Sequence, residues 1–266
     1  MTGILFDLDG VIYQSGQVID GASEALNWVR KNNIPHLFVT NTTSKPMAAI
    51  IEVLAGFGIK TDNQHILTPP VAARNWLQRE LKKPRVALYV GEQTKADFSS
   101  LTIAAENEES VDAVVIGHLG EQWSFKRMNS AFRQLNANEA TRLVALGLTR
   151  YWETPNGLEL DVGPFVKALE YATGKEAVVC GKPSPSFFLA AAQQLQHQPG
   201  ELIMIGDDIQ GDIGGAQGAG LRGLQVRTGK FRESDLQQGI IPDGMIDSIA
   251  DLPDWWSQQI PSSGSR

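Results

Sequence analysis

The sequence predicts an α/β fold built on a buried parallel sheet, with a second, smaller module inserted into it. Three observations carry this expectation. Short β-rich apolar runs bounded by Gly, Asp or Pro alternate with longer stretches of helical spacing, the grammar of layered α/β proteins. Most of the runs are short and nearly all apolar instead of alternating with polar residues, as strands covered on both faces are. At 266 residues the chain also reaches the size at which a single hydrophobic core stops growing, so a companion module is expected.

In chain order, strands are expected at 3–6, 36–40, 86–90, 113–116, 143–146, 177–179, 202–205 and 223–226, each a compact run rich in Ile, Leu, Val, Phe or Ala. Helices are expected between them at 22–31, 46–56, 71–81, 124–135, 163–172, 186–195 and 211–218, where apolar residues recur at helical spacing. Pro46 and Pro185 suit the first turns of two of these helices. Around 152–160 the turn Pro155-Asn156-Gly157 between apolar-containing flanks reads as a β-hairpin, which breaks the strand–helix alternation and marks a differently built module. The acidic run Glu106-Asn107-Glu108-Glu109 is expected to be a solvated loop. The segment at Trp255-Trp256 is the last expected to be ordered, since the Ser- and Gly-rich tail 261–266 has little to pack.

Composition narrows the function. A net charge of −7 argues against an electrostatically driven nucleic-acid binder and against a polybasic membrane binder. No apolar run approaches membrane-spanning length. Cys180 is the single cysteine, which excludes an intramolecular disulfide framework and a thiolate-rich metal site. With no basic leader ahead of Ile4, a cytoplasmic location is expected.

The residues that carry chemistry gather at strand ends. Asp7 and Asp9, spaced i, i+2 where the first apolar strand gives way to Gly10, are expected on the same side of the strand, and two like charges so close call for a neutralising cation. An EF-hand start does not fit, because Val11 and Ile12 stand where that loop needs a ligand and a glycine. Gly206-Asp207-Asp208, with Asp212 beyond, follows another apolar strand. Ligands of open α/β sheets bind at the carboxyl ends of strands, so both acidic clusters suit one crevice. Carboxylates without His or Cys suit Mg2+. Thr40 and Asn41 offer neutral donors and Lys182 a point charge, together a phosphate cradle. Gly218-Ala219-Gly220-Leu221-Arg222-Gly223 matches a dinucleotide fingerprint in letters only, since a helix precedes it and a strand follows.

Taken together, Asp7-Leu8-Asp9-Gly10, Thr40-Asn41, Gly181-Lys182-Pro183 and Gly206-Asp207-Asp208 with Asp212 resemble the four motifs of the haloacid dehalogenase-like (HAD) superfamily, over nearly the whole chain. The stretch 206–217, followed by 225–231, resembles the nitrophenylphosphatase-type class II branch. This resemblance implies a three-layer Rossmann-like core and an α/β cap of the C2 type. It also implies Mg2+-dependent hydrolysis of a small phosphorylated metabolite through an aspartyl-phosphate. Asp7 would be the nucleophile and Asp9 the general acid and base. Asp7, Asp9 through its carbonyl, and Asp207 would be the metal ligands. Thr40, Asn41 and Lys182 would be the phosphate contacts, and Asp208 and Asp212 would support them from behind. A homodimer through the cap is a further implication.

Motif spacing locates the insertion. About 31 residues separate Asp9 from Thr40, room for one crossover, whereas 141 positions separate Asn41 from Lys182. The core is therefore expected at 1–71 and 177–266 and the cap at 72–176. In the cap, the loop 117–123, Arg150-Tyr151-Trp152 and the hairpin tip near Asn156 are expected to face substrate. Two other readings remain open at this stage, a dehalogenase acting on carbon and a slow phosphate-ligand sensor. The leaving group stays open among sugar phosphates, nucleotides, pyridoxal phosphate, pyrophosphate and phosphoamino acids.

Overall fold

A computed structural model describes residues 3–105, 107–154 and 157–259, with backbone only at 152–154. The expectations at Glu106, at the hairpin tip Pro155-Asn156 and along the tail 261–266 lie outside the described residues, as does the side chain of Trp152. The chain divides into two compact units, Met1–Thr40 with Ile51–Leu67 and Phe188–Arg266, and Asn41–Ile50 with Thr68–Phe187.

The first unit holds a six-stranded sheet in the order Gly244–Ile246, Arg222–Val226, Leu202–Gly206, Gly3–Phe6, His36–Val39 and Ile66–Leu67. Every pairing in it is parallel. Gly3–Phe6 comes first in the chain but lies mid-sheet, with later strands added on both sides, so its carboxyl end is a topological switch point. Ile4, Leu5 and Phe6 are fully buried beside Leu37, Phe38 and Ile203–Ile205, as an all-apolar strand requires. Helix Ala22–Lys31 shows how the flanking layers form. Ala22, Ala25, Leu26 and Val29 fall at helical spacing and are buried, while Glu24 in the first turn and Arg30 and Lys31 in the last complement the helix dipole.

The second unit has its own parallel sheet, ordered Val178–Val179, Arg142–Ala145, Ala113–Ile116, Arg85–Tyr89 and Thr102–Ile103. Its core packs Val114, Ile116, Leu135, Leu143, Val166 and Leu169 with their neighbours. Thr68 and Ser124 cap helices Pro69–Glu80 and Phe125–Ala137, each accepting the N–H three residues on. The expected hairpin is present as antiparallel strands Tyr151–Thr154 and Gly157–Leu160. This unit is wider than the 72–176 insertion read from motif spacing. Val178–Val179 pairs with Arg142–Ala145 and so joins the second sheet, and Asn41 is bonded to Lys182.

Candidate active site

Three carboxylates come together at strand ends of the first unit. Asp7, Asp207 and Asp212 each offer an oxygen, and these oxygens all lie within 4.8 Å of one another. Asp7 is 6%, Asp207 1% and Asp212 0% exposed. Three buried carboxylates at that spacing repel one another strongly unless a cation or protonation neutralises part of the charge. The donors are all hard oxygens, which suits a magnesium-class ion.

Local chemistry holds each acid in place. Asp7 follows the central strand, its N–H bonded to the Ile205 carbonyl at 2.9 Å, and its Oδ1 accepts the Leu8 N–H at 2.8 Å. Asp207 follows the neighbouring strand. Its Oδ2 accepts the Lys230 N–H at 2.7 Å, and its carbonyl accepts Nε2 of the buried Gln225 at 2.8 Å. Gly10 and Gly229 close over this carboxylate. Both have positive φ, and a Cβ at either would sit 2.1 Å from Asp207 Oδ2. Asp212 lies on the wide, π-type turn Ile209–Gly214, its Oδ2 accepting the Asp208 N–H at 3.2 Å. A Cβ on Gly206 would meet the Asp212 Cβ at 2.2 Å, so the approach of Asp212 needs glycine there.

Asp9 differs from Asp7. The strand ends at Phe6, so the period-two alternation expected to align the two acids does not run through Asp9, which is exposed and bridges to Tyr13. Burial, with the charges of Asp9 and Asp7 adding to it, pushes the Tyr13 phenol up to about 12 and keeps it a hydrogen-bond donor. Asp208, also partly exposed, turns outward. Its Oδ1 accepts the N–H groups of Gln210 at 3.0 Å and Gly211 at 2.8 Å.

Thr40 is buried at the end of His36–Val39, its N–H bonded to the Leu67 carbonyl at 3.2 Å. Asn41 and Lys182 belong to the second unit and clasp each other. Asn41 Nδ2 donates to the Lys182 carbonyl at 2.9 Å, and the Lys182 N–H donates to Asn41 Oδ1 at 2.7 Å. Lys182 is 6% exposed, and a buried ammonium needs anionic company.

Sequence reasoning missed Lys230, Gln225 and the three glycines as site residues. The available signal was the run Gln225–Phe231, which leads off the end of strand Arg222–Val226. Partial burial pulls the Lys230 ammonium down, but the carboxylates of Asp207, Asp7, Asp208 and Asp212 outweigh it and hold the group above its usual value. Of the substrate-facing residues expected in the second unit, His118 lies in the loop after Ala113–Ile116, with Nδ1 3.5 Å from Asp161 Oδ1. The Arg150 guanidinium lies 5.9 Å from the Tyr151 ring centre. Cys180 is buried, and burial pushes its thiol up to about 12, which leaves it inert as a nucleophile.

Comparison with known proteins agrees with this architecture. The profile of haloacid dehalogenase-like hydrolases matches residues 4–104, and a HAD-hydrolase-like profile matches 179–252. Human phospholysine phosphohistidine inorganic pyrophosphate phosphatase is 39% identical over 257 residues, covering 95% of this chain and 93% of that protein. Bovine haloacid dehalogenase-like hydrolase domain-containing protein 2 is 38% identical, covering 88% and 87%. Among solved structures, p-nitrophenyl phosphatase from Archaeoglobus fulgidus superposes with a TM-score of 0.86 at 25% identity, over 96% of this chain and 98% of that one. Profiles and relatives together span the strand ends where the buried acids gather, and on that ground the chain belongs to the haloacid dehalogenase-like hydrolases, in their class II, nitrophenylphosphatase-type branch.

Proposed function

We propose that this HAD-type phosphatase hydrolyses small phosphate esters in a Mg2+-dependent reaction that passes through an aspartyl-phosphate on Asp7. The observation that carries the reading is the buried carboxylate cluster at the switch point of a parallel sheet. Asp7, Asp207 and the Asp9 carbonyl would hold the ion. Asp212 adds negative charge beside them, and Asp208 braces the turn. When bound, a divalent cation neutralises charge on the phosphoryl oxygens.

The chain's own groups do the rest. An Asp7 carboxylate oxygen attacks phosphorus, forming an acyl-phosphate bond as the bond to the leaving oxygen breaks. Asp9 gives that oxygen a proton. Asp9 then takes a proton from water, whose oxygen attacks phosphorus, releasing inorganic phosphate and restoring the Asp7 carboxylate. The exposure of Asp9 suits a group that exchanges protons with leaving group and water. Thr40, Asn41 and Lys182 hold the phosphoryl oxygens.

Segments 1–71 and 177–266 serve as catalytic core, and 72–176 as a cap that selects the leaving group through 117–123 and Arg150. Pyrophosphate and phosphoamides belong among the candidate substrates because the human relative is named for them. A homodimer through the cap is supported by Tyr151, Leu158 and Leu160, exposed on the hairpin, and a cytoplasmic location completes the proposal. Among the described residues no helix is long and apolar enough to cross a membrane.

The test is hydrolysis of p-nitrophenyl phosphate and of a panel of phosphorylated metabolites, pyrophosphate and phosphoamino acids, with Mg2+ and with chelator. Release of phosphate that chelator abolishes is expected. Absence of hydrolysis of every compound refutes the reading.

A further inference from the structure

We infer that Lys230 is a built-in counter-cation that loosens the grip of the acidic cluster on its divalent ion. The inference rests on the proposal that Asp7 and Asp207 hold Mg2+, and it concerns a residue outside the four motifs.

The backbone fixes where Lys230 stands. Gly229, directly before it, lies over the Asp207 carboxylate, where a side chain has no room. The Lys230 N–H is bonded to Asp207 Oδ2 at 2.7 Å, and Thr228 Oγ1 donates to the Gly10 carbonyl at 2.5 Å. The segment is therefore tied both to the metal-side acid and to the turn after Asp7. Lys230 lines a cavity of about 290 Å3 together with Asp207, Asp208, Gln210, Asp235 and Gln238. Its Nζ reaches 3.9 Å from Asp208 Oδ2, and the side chain is 68% exposed.

An exposed ion pair of this length contributes little to folding. Its charge nevertheless stands beside Asp208, on a residue whose N–H is bonded to Asp207, and the Asp207 carboxylate lies within 4.8 Å of those of Asp7 and Asp212, all three of them buried. Before the ion arrives, the ammonium offsets part of the repulsion within the cluster. Once a doubly charged ion is present, the same ammonium repels it. Lys230 therefore acts on affinity through charge and takes no part in bond making. It is a positioning and tuning residue, and it keeps ion binding readily reversible.

Titration calorimetry of the full-length protein with MgCl2, without substrate, tests this. Lys230→Gln is expected to bind Mg2+ about three- to tenfold more tightly than wild type at low salt, and Lys230→Arg to match wild type. The gap is expected to shrink as salt rises, because the ammonium is solvent-exposed. A purely structural role predicts weaker binding in both variants and no such salt dependence. If Lys230→Gln binds Mg2+ no more tightly than wild type at low salt, the inference is overturned while the metal assignment stands. A wild-type protein that takes up no Mg2+ overturns both.

Discussion

Asp7 and Asp9 show how two identical side chains two positions apart acquire different surroundings, and under the proposed function different work. Asp7 is buried with Asp207 and Asp212, while Asp9 sits in the turn, open to solvent. Asp9→Asn keeps the shape and the backbone carbonyl but cannot exchange a proton. Turnover is expected to fall by on the order of 10²–10⁴-fold with Mg2+ affinity near wild type, read by steady-state kinetics beside calorimetry. Unchanged turnover contradicts the role given to Asp9. Gly206 is the counterpart among structural residues, since any side chain there collides with Asp212. Gly206→Ala is expected to cost about 1–3 kcal/mol of stability by chemical denaturation and to weaken Mg2+ binding, because Asp212 must move. Asp7 and Asp207 stood out in the sequence because each directly follows an apolar strand. The packing constraint on the glycines was not legible there, because it is a contact made only in the folded chain, with Asp212 at Gly206 and with Asp207 at Gly10 and Gly229.

At the scale of elements, the alternation of apolar strands and helices was readable, and the differences have simple causes. Ile66–Leu67, Thr102–Ile103 and Gly244–Ile246 went unseen because each is only two or three residues at a sheet edge, too short to show a period. Helix Pro69–Glu80 starts two residues before the expected 71–81, because Pro69 and Pro70 occupy a first turn capped by Thr68. The lysine of Gly181-Lys182-Pro183 was visible, but the membership of Val178–Val179 in the second sheet was not, since sequence does not say which sheet a short strand joins. The start of helix Val162–Thr173 carries a pH-dependent contact. The hydrogen bond that the Asp161 carboxylate accepts from the His118 imidazolium raises the His118 pKa above 6.5, against the lowering effect of burial, with the charges of Asp161 and Glu159 adding to the rise. The folded state thus holds the imidazolium proton more tightly than the unfolded chain. That stabilisation is fully present below pH 6.5 and is lost as pH rises through the higher folded value. Asp161→Asn is therefore expected to lower the thermal midpoint more at about pH 6 than at about pH 9. An equal loss at both contradicts the contact.

For the molecule as a whole, the net charge of −7 discouraged anionic partners when read as an average, yet the proposed substrate is an anion. The resolution is local. Buried carboxylates within 4.8 Å of one another need a cation, and under the proposed function a bound divalent ion would reverse the field there. The 141 positions between Asn41 and Lys182 likewise become most of a second unit with its own parallel sheet. The central claim is that Asp7 forms a covalent bond to phosphorus, and the most direct test compares wild type with Asp7→Asn on p-nitrophenyl phosphate in Mg2+. Borohydride trapping follows the bond itself. The account predicts that wild type turns over and yields homoserine at position 7 after trapping, whereas Asp7→Asn does neither. Hydrolysis at the wild-type rate by Asp7→Asn would contradict it.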